Sequence, residues 1–195
     1  MRNQWRELIE LLEAKDVVFA EGLTDSEVVQ TEARYGFHFP DDLREFWQTA
    51  LPIGFPFPNW RSQNDVRLKS LIDDPLHGIL FDVERGFWHP EWGARPEAIA
   101  DALTIAEQLV RQAPKLIPIN GACAMPDRPS TAGNPVLSIH QTDIVYMGFH
   151  LDDYFRYAFK PPGLKPEPSE IKRIEFWDAR RWQEVRWSDE YWHQW

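Results

Sequence analysis

GNPVLSIHQTDIVYMGFHLDDYFRYAF, residues 133–159, is the stretch that decides the fold of this chain. Two apolar runs, 136–140 and 144–149, have the length and composition of strands. The three residues between them suit the turn of a hairpin. Paired aspartates then favour the start of a helix, because carboxylates near a helix N-terminus complement its dipole. The stretch therefore predicts two paired antiparallel strands followed by a helix at 151–159.

Helical spacing of apolar residues recurs outside this stretch. Thr24 and Glu27 have the spacing of a capping box, and Gly36 is suited to end the helix that they begin. The predicted helices lie near 4–14, 24–35, 40–50 and 97–113. Further strands are expected near 79–83, where apolar residues alternate, and at 116–119. The proline-rich segment 51–60 is expected to be a loop or a sheet edge, and 121–135 a loop.

Helices before, between and after paired strands predict the α+β class, a single domain with a largely antiparallel sheet flanked by helices. The aromatic and aliphatic residues on the helical stripes and strands are the expected core. They include Leu43, Phe46, Trp47, Leu103, Val110 and Ile139.

The charge of the chain is strongly acidic, with a formal net charge of −10 at pH 7. Residues 1–100 carry 18 aspartates and glutamates against 10 lysines and arginines. Such a field disfavours nucleic acid and favours a basic protein partner, although it also serves solubility alone. The sequence has no run long enough for a membrane span and no secretory signal, and its single cysteine, Cys123, excludes an internal disulfide. A cytoplasmic protein is therefore expected.

Catalytic motifs are absent from the sequence: it has no GxSxG, no phosphate-binding loop, no GxGxxG and no cysteine pair for zinc. His140 and Asp143 flank the predicted hairpin turn, and His150 lies beside two aspartates. A carboxylate beside an imidazole can orient a catalytic base in a hydrolase or support a metal ligand, but such pairs also occur in ordinary turns and helix caps. Cys123 has no neighbouring base in its loop. We predict no catalytic residue, no metal and no cofactor.

Aromatic residues are in excess, and the ten tryptophans include five in the last 19 residues. Exposed rings beside charged side chains are typical of protein contact surfaces, whereas the same rings can also seal a core. We expect two segments to bind a partner. The predicted contact residues are Asp41, Asp42, Glu45, Phe57 and Trp60 in the first, and Trp88, Glu91 and Trp92 in the second. For the C-terminal tryptophans, Asp178 as a helix cap and Trp177 with Trp182 as a hydrophobic staple favour local packing.

Two blocks of the chain carry a recognisable order of caps, turns and core positions. The first is Leu23-Thr24, Glu32, Gly36, Phe39-Pro40, Leu43 and Phe46, and the second is Leu116–Ile119 and Gly133-Asn134-Pro135 with the following strand pair. Together they resemble the SUKH superfamily, which groups fungal cell-wall assembly regulators with bacterial immunity proteins that neutralise toxins. The resemblance covers roughly residues 22–159, with a weaker similarity at 174–177. On this basis we expect residues 1–160 to form a SUKH-like domain, and residues 161–195 to be a proline-rich linker and a tryptophan-rich extension that packs on the same domain.

The resemblance implies a non-enzymatic domain that binds another protein. We therefore expect an immunity protein that docks stoichiometrically onto a cognate toxin, with a basic toxin domain favoured by the acidic charge. A regulatory scaffold related to the cell-wall regulators is the first alternative, and a hydrolase using His140 and Asp143 is the second.

Overall fold

The structure, a computed structural model, describes residues 2–62, 66–159 and 171–184 of the chain. Its helices are α1 (Arg2–Glu13), α2 (Asp25–Tyr35), α3 (Asp41–Thr49), α4 (Val66–Glu84), α5 (Ile99–Gln112), α6 (Leu151–Ala158) and α7 (Ala179–Glu184). Its strands are β1 (Val18–Glu21), β2 (Ala50–Ile53), β3 (Leu116–Asn120), β4 (Cys123–Pro126), β5 (Val136–His140) and β6 (Asp143–Gly148). A short 3-10 helix spans Pro90–Trp92.

A four-stranded sheet with the strand order β3-β4-β5-β6 lies between two layers of helices. All its neighbouring strands are antiparallel, and the predicted hairpin is β5 and β6, in which His140 pairs with Asp143. β1 and β2 form a separate antiparallel pair. The predicted α+β class, a single domain with an antiparallel sheet flanked by helices, is confirmed.

Alternation along the strands sends side chains to two separate cores. The first core lies between the sheet and the helices α1, α2, α3 and α6, and it includes Leu68 from the start of α4. The second core lies between the opposite face of the sheet and the second half of α4, α5 and α7. Sheet residues of the first core are Ile117, Ile119, Met125 and Val136. Sheet residues of the second core are Leu116, Ala124, Leu137 and Ile144. Both faces of the sheet are therefore covered by apolar side chains.

Helix α2 begins and ends where its capping residues predict. Thr24 and Glu27 form the complete capping box, with a 2.8 Å bond from the Thr24 backbone N–H to a Glu27 carboxylate oxygen. Gly36 ends α2 at a φ of 67°, in the left-handed region that glycine adopts without strain. The predicted core residues Leu43, Phe46 and Trp47 are fully buried on one side of α3.

The strand predicted at 79–83 is wrong, because these residues form the last part of α4. Ile79 and Val83 are buried, whereas Phe81 between them is 42% exposed. Residues at i and i+4 share one face of a helix, and residue i+2 lies away from it. Buried residues four apart thus resemble strand alternation when the residue between them is also apolar.

Two further strands were not predicted. Within the expected loop 121–135, β4 pairs with both β3 and β5, so the loop prediction is wrong for Cys123–Pro126. For β1, residues Val18–Glu21, the sequence pattern predicted neither a strand nor a helix. Of the remaining predicted core residues, Leu103, Val110 and Ile139 are half-buried and pack against the second core.

Residues 171–184 pack into the second core, through Ile174, Trp177, Ala179 and Trp182. The predicted staple is present: the indole rings of Trp177 and Trp182 stack with centroids 6.3 Å apart on either side of the Asp178 cap. The Trp177 indole N–H donates to the carbonyl of Pro114 at 2.6 Å. The predicted linker at 161–170 and the tryptophans at 187, 192 and 195 lie outside the described residues.

In the described ranges, no helix combines the length and the apolar character needed to span a bilayer.

Candidate protein-binding surface

The aromatic loop between β2 and α4 directs two of its rings inward and one outward. Phe57 is 5% exposed and Trp60 is 2% exposed, and both belong to the first core. Trp60 packs edge-on against Phe37 and Phe39, with ring centroids 5.9 and 5.4 Å apart. The prediction that Phe57 and Trp60 are surface anchors is therefore wrong, because both rings are buried in the first core.

Phe55, in the same loop, projects outward instead. Its side chain is 86% exposed, the highest value among the large hydrophobic residues that the structure describes. Gly54 before it has a φ of 86°, and its carbonyl accepts a 2.9 Å hydrogen bond from the Phe57 backbone N–H. This turn places successive aromatic rings on opposite sides of the loop.

The backbone of this loop is held at its centre. The carbonyl oxygen of Pro56 accepts hydrogen bonds from the Arg67 guanidinium at 2.9 Å and from the Gly121 backbone N–H at 3.1 Å. The same guanidinium lies over the ring of Phe55, with its central carbon 4.7 Å from the ring centroid. Phe55 is thus an exposed ring on a fixed backbone, so contact with a partner costs little ordering entropy there.

Two aliphatic residues of the β1–β2 pair are exposed as well. Val18 and Ile53 are paired across β1 and β2, and they are 60% and 45% exposed. Ile53 precedes Phe55 by two residues. We call Val18, Ile53 and Phe55 the apolar patch. Exposed apolar residues grouped in this way mark contact sites more often than single exposed residues do.

Charged residues lie close in sequence or in space to the apolar patch. Glu13, the last residue of α1, and Asp16, in the turn before β1, are exposed, as is Lys15 between them. Arg67 is the cation on the other side, next to Phe55. The combination of an aromatic ring, an arginine and a polar rim is typical of the centre and edge of a protein interface.

The predicted acidic contact residues lie at the other end of α3. Asp42 accepts hydrogen bonds from the backbone N–H groups of Leu43 and Gly133, at 2.9 and 2.8 Å. Burial raises the pKa of Asp42, although these bonds oppose the shift. Asp42 therefore serves to fix the loop before β5, while Asp41 is exposed and Glu45 is half-buried. The structure does not bring these acids together with Phe57 and Trp60 in one surface.

The second predicted region contacts the chain's own C-terminal segment. The ring of Trp92 lies 5.9 Å from that of Trp182, and Trp88 packs on Trp92 at 5.2 Å. Glu91 pairs with Arg181 at 2.9 Å. Trp88 and Trp92 are half-buried, so most of their contact area is used within the molecule.

The candidate catalytic pairs occupy ordinary structural positions. His150 is the N-cap of α6, where its Nδ1 accepts a 3.1 Å hydrogen bond from the Asp153 backbone N–H. His140 is exposed opposite Asp143 at the hairpin turn, and it lines a cavity of about 450 Å³ together with His77 and Cys123.

The Cys123 thiol is poorly suited to act as a nucleophile. Burial raises its pKa, although a hydrogen bond with the Tyr154 hydroxyl opposes this shift. The fraction of reactive thiolate at neutral pH is therefore low.

In the described part of the chain, no three histidine, cysteine or acidic side chains lie close enough together to hold a metal ion. Comparisons of the chain with models of protein families, with curated proteins and with solved structures found no match.

The residues that sequence reasoning missed carry a weak local signal. Val17-Val18-Phe19 is a β-branched and aromatic run that ends at Gly22, which is typical of a short strand. Phe55 lies between glycine and proline, the residue types that favour the tip of a turn. These two signals together indicate a strand and an exposed ring in a turn, but the repeated phenylalanines of the loop conceal which ring is outside.

Proposed function

We propose that this chain is a non-enzymatic, cytoplasmic protein-binding domain, an immunity protein that neutralises a cognate toxin by stoichiometric docking. The observation that carries the proposal is the exposed ring of Phe55 on a loop fixed by Arg67 and Gly121. The resemblance to the SUKH superfamily supplies the expectation of a toxin as the partner.

The acidic charge supports a basic toxin domain as that partner. A net charge of −10 attracts a basic protein and raises the rate of encounter, while the apolar patch contributes affinity after contact. Glu13 and Asp16, which shortly precede Val18 in the chain, contribute part of this charge near the apolar patch. The expected complex has one copy of each protein.

The test is direct binding between the purified chain and the toxin candidate encoded beside its gene, measured by calorimetry. Phe55→Ala is expected to weaken the complex by about 2 kcal/mol or more, as hot-spot rings do. The free energy of unfolding should change by less than about 0.5 kcal/mol, because the ring is exposed.

Phe81→Ala is the matched control, since Phe81 is also an exposed phenylalanine with an arginine over its ring, at 3.3 Å. Equal effects of the two changes on affinity would exclude the apolar patch as the contact surface. A neighbouring gene product that binds but has no toxic activity would favour the regulatory scaffold instead. Failure of that gene product to bind at all would contradict the immunity function.

A further inference from the structure

A cavity of about 670 Å³ lies between the C-terminal end of α2, the first half of α4, the end of α5 and the start of β3. Apolar side chains make up much of its lining, among them Ile72, Leu76, Val110, Leu116 and Trp177. The volume is within the range of pockets that hold small organic ligands. The first α4 turns and the C-terminal segment thus leave an apolar space that the core does not fill.

Basic side chains also line this cavity. Arg34, Lys69, Arg111 and Lys115 line the cavity, and Asp73 is the one acid among its described lining residues. The excess of positive charge contrasts with the net charge of −10 of the chain. An acidic protein that gathers four cations at one cavity has a local field that attracts anions there.

Two of these cations are held in place by the backbone. The Lys115 ammonium donates to the carbonyl of Tyr35 at 3.0 Å, and the Arg34 guanidinium donates to the carbonyl of Ser62 at 3.1 Å. Lysine has three donors and arginine five, so each retains donors for a ligand.

The other two cations differ in their partners. Arg111 forms an ion pair with Glu107 at 2.7 Å. Within the described ranges, the Lys69 side chain forms no hydrogen bond or ion pair.

We propose that this cavity, the basic pocket, binds a small amphipathic anion, with an apolar body among Leu76, Val110 and Trp177 and a carboxylate or phosphate head near Arg34, Lys69 and Lys115. The apolar interior selects the body, and the fixed cations select the charge. The basic pocket is separate from the apolar patch, because none of Val18, Ile53 and Phe55 lines it.

The test is calorimetric titration of the full chain with dodecanoate and with dodecyl phosphate, both below their micelle-forming concentrations. Dodecyltrimethylammonium, which has the same apolar body and the opposite charge, is the control ligand. Saturable binding of one anion per chain, with a raised thermal midpoint, is expected. Whether dodecanoate or dodecyl phosphate binds more tightly identifies the head group. Equal binding of the cation, or no binding of either anion, would overturn the proposal.

Lys69→Gln removes one positive charge without removing a described contact. It should weaken anion binding by about fivefold to tenfold, and a tenfold loss corresponds to about 1.4 kcal/mol of binding free energy. Lys15→Gln, an exposed lysine that does not line the pocket, should leave the affinity unchanged. An equal loss in both variants would show a general charge effect and contradict the pocket.

Val110→Phe should occlude the cavity and abolish binding in a protein that still unfolds cooperatively. A folded Val110→Phe protein with wild-type affinity would refute the location. If this variant does not fold, the Lys69→Gln comparison decides. Phe55→Ala should bind the anion normally, so failure of the protein-docking proposal and failure of this one are separately visible.

Discussion

Gly78→Ala is predicted to destabilise the protein, although alanine is the better helix former. Gly78 lies within α4, where replacing glycine by alanine normally stabilises by about 1 kcal/mol. A Cβ at this position would lie 2.9 Å from the Cα of Gln141 and 3.1 Å from its backbone nitrogen. Both are backbone atoms of the hairpin turn, so no side-chain rotation relieves the contact.

The helix is also held against that turn. One turn after Gly78, Asp82 accepts hydrogen bonds from the Thr142 backbone N–H at 3.0 Å and from its hydroxyl at 2.7 Å. Moving α4 away would weaken bonds of a charged group, which contribute about 1.5–3 kcal/mol each. Overpacking typically costs about 1–3 kcal/mol. After the gain of about 1 kcal/mol from helix propensity is subtracted, we expect a net loss of up to about 2 kcal/mol in the free energy of unfolding.

Urea unfolding followed by circular dichroism measures this loss as a lower midpoint at an unchanged slope. His77→Ala, at the preceding exposed position, should change stability by less than about 0.5 kcal/mol. In a Thr142→Ala background the cost of Gly78→Ala should fall, because the helix can then shift. A Gly78→Ala protein more stable than the wild type would refute the contact between α4 and the hairpin turn.

Three further changes test the two cores. Trp60→Ala should cost about 3–5 kcal/mol in urea unfolding, because the ring is buried; a cost below about 1 kcal/mol would place the ring at the surface. Trp182→Ala should cost a similar amount and detach residues 171–184, seen as faster amide exchange there; wild-type protection would contradict their role in the second core. Burial lowers the pKa of His89, while Glu91 opposes the shift, so the unfolded chain binds more protons below pH ~6.5. Stability should therefore fall as pH drops from 7 to 5, and His89→Asn should reduce this fall; an equal slope in both proteins would exclude His89 as its source.

Local rules predicted the elements whose ends are fixed by neighbours in the chain. The capping box at Thr24, the stop at Gly36 and the β5–β6 hairpin depend on contacts within a few residues, and all three are present. The helix expected near 97–113 is α5, and it begins at Ile99.

Elements that depend on distant contacts were not predicted. β4 has only four residues, and its place is set by pairing with β3 and β5 rather than by its own composition. α4 contains Pro75 and Gly78, which weaken a helix, and tertiary contacts with the sheet outweigh both. For the candidate site, composition located the aromatic loop, but the side of each ring follows from the turn at Gly54.

The division of the sheet into two cores has a consequence for the order of synthesis. The first core takes its last buried residue from α6, at Phe155, whereas the second needs Trp177 and Trp182. During translation, one side of the sheet can therefore close while the side with Leu137 and Ile144 still lacks its tryptophans. A chain stopped by a nonsense codon near residue 160 would retain a complete first core with an open apolar side. Chaperones and proteases recognise such surfaces, so these truncated products are expected to be removed rather than to accumulate.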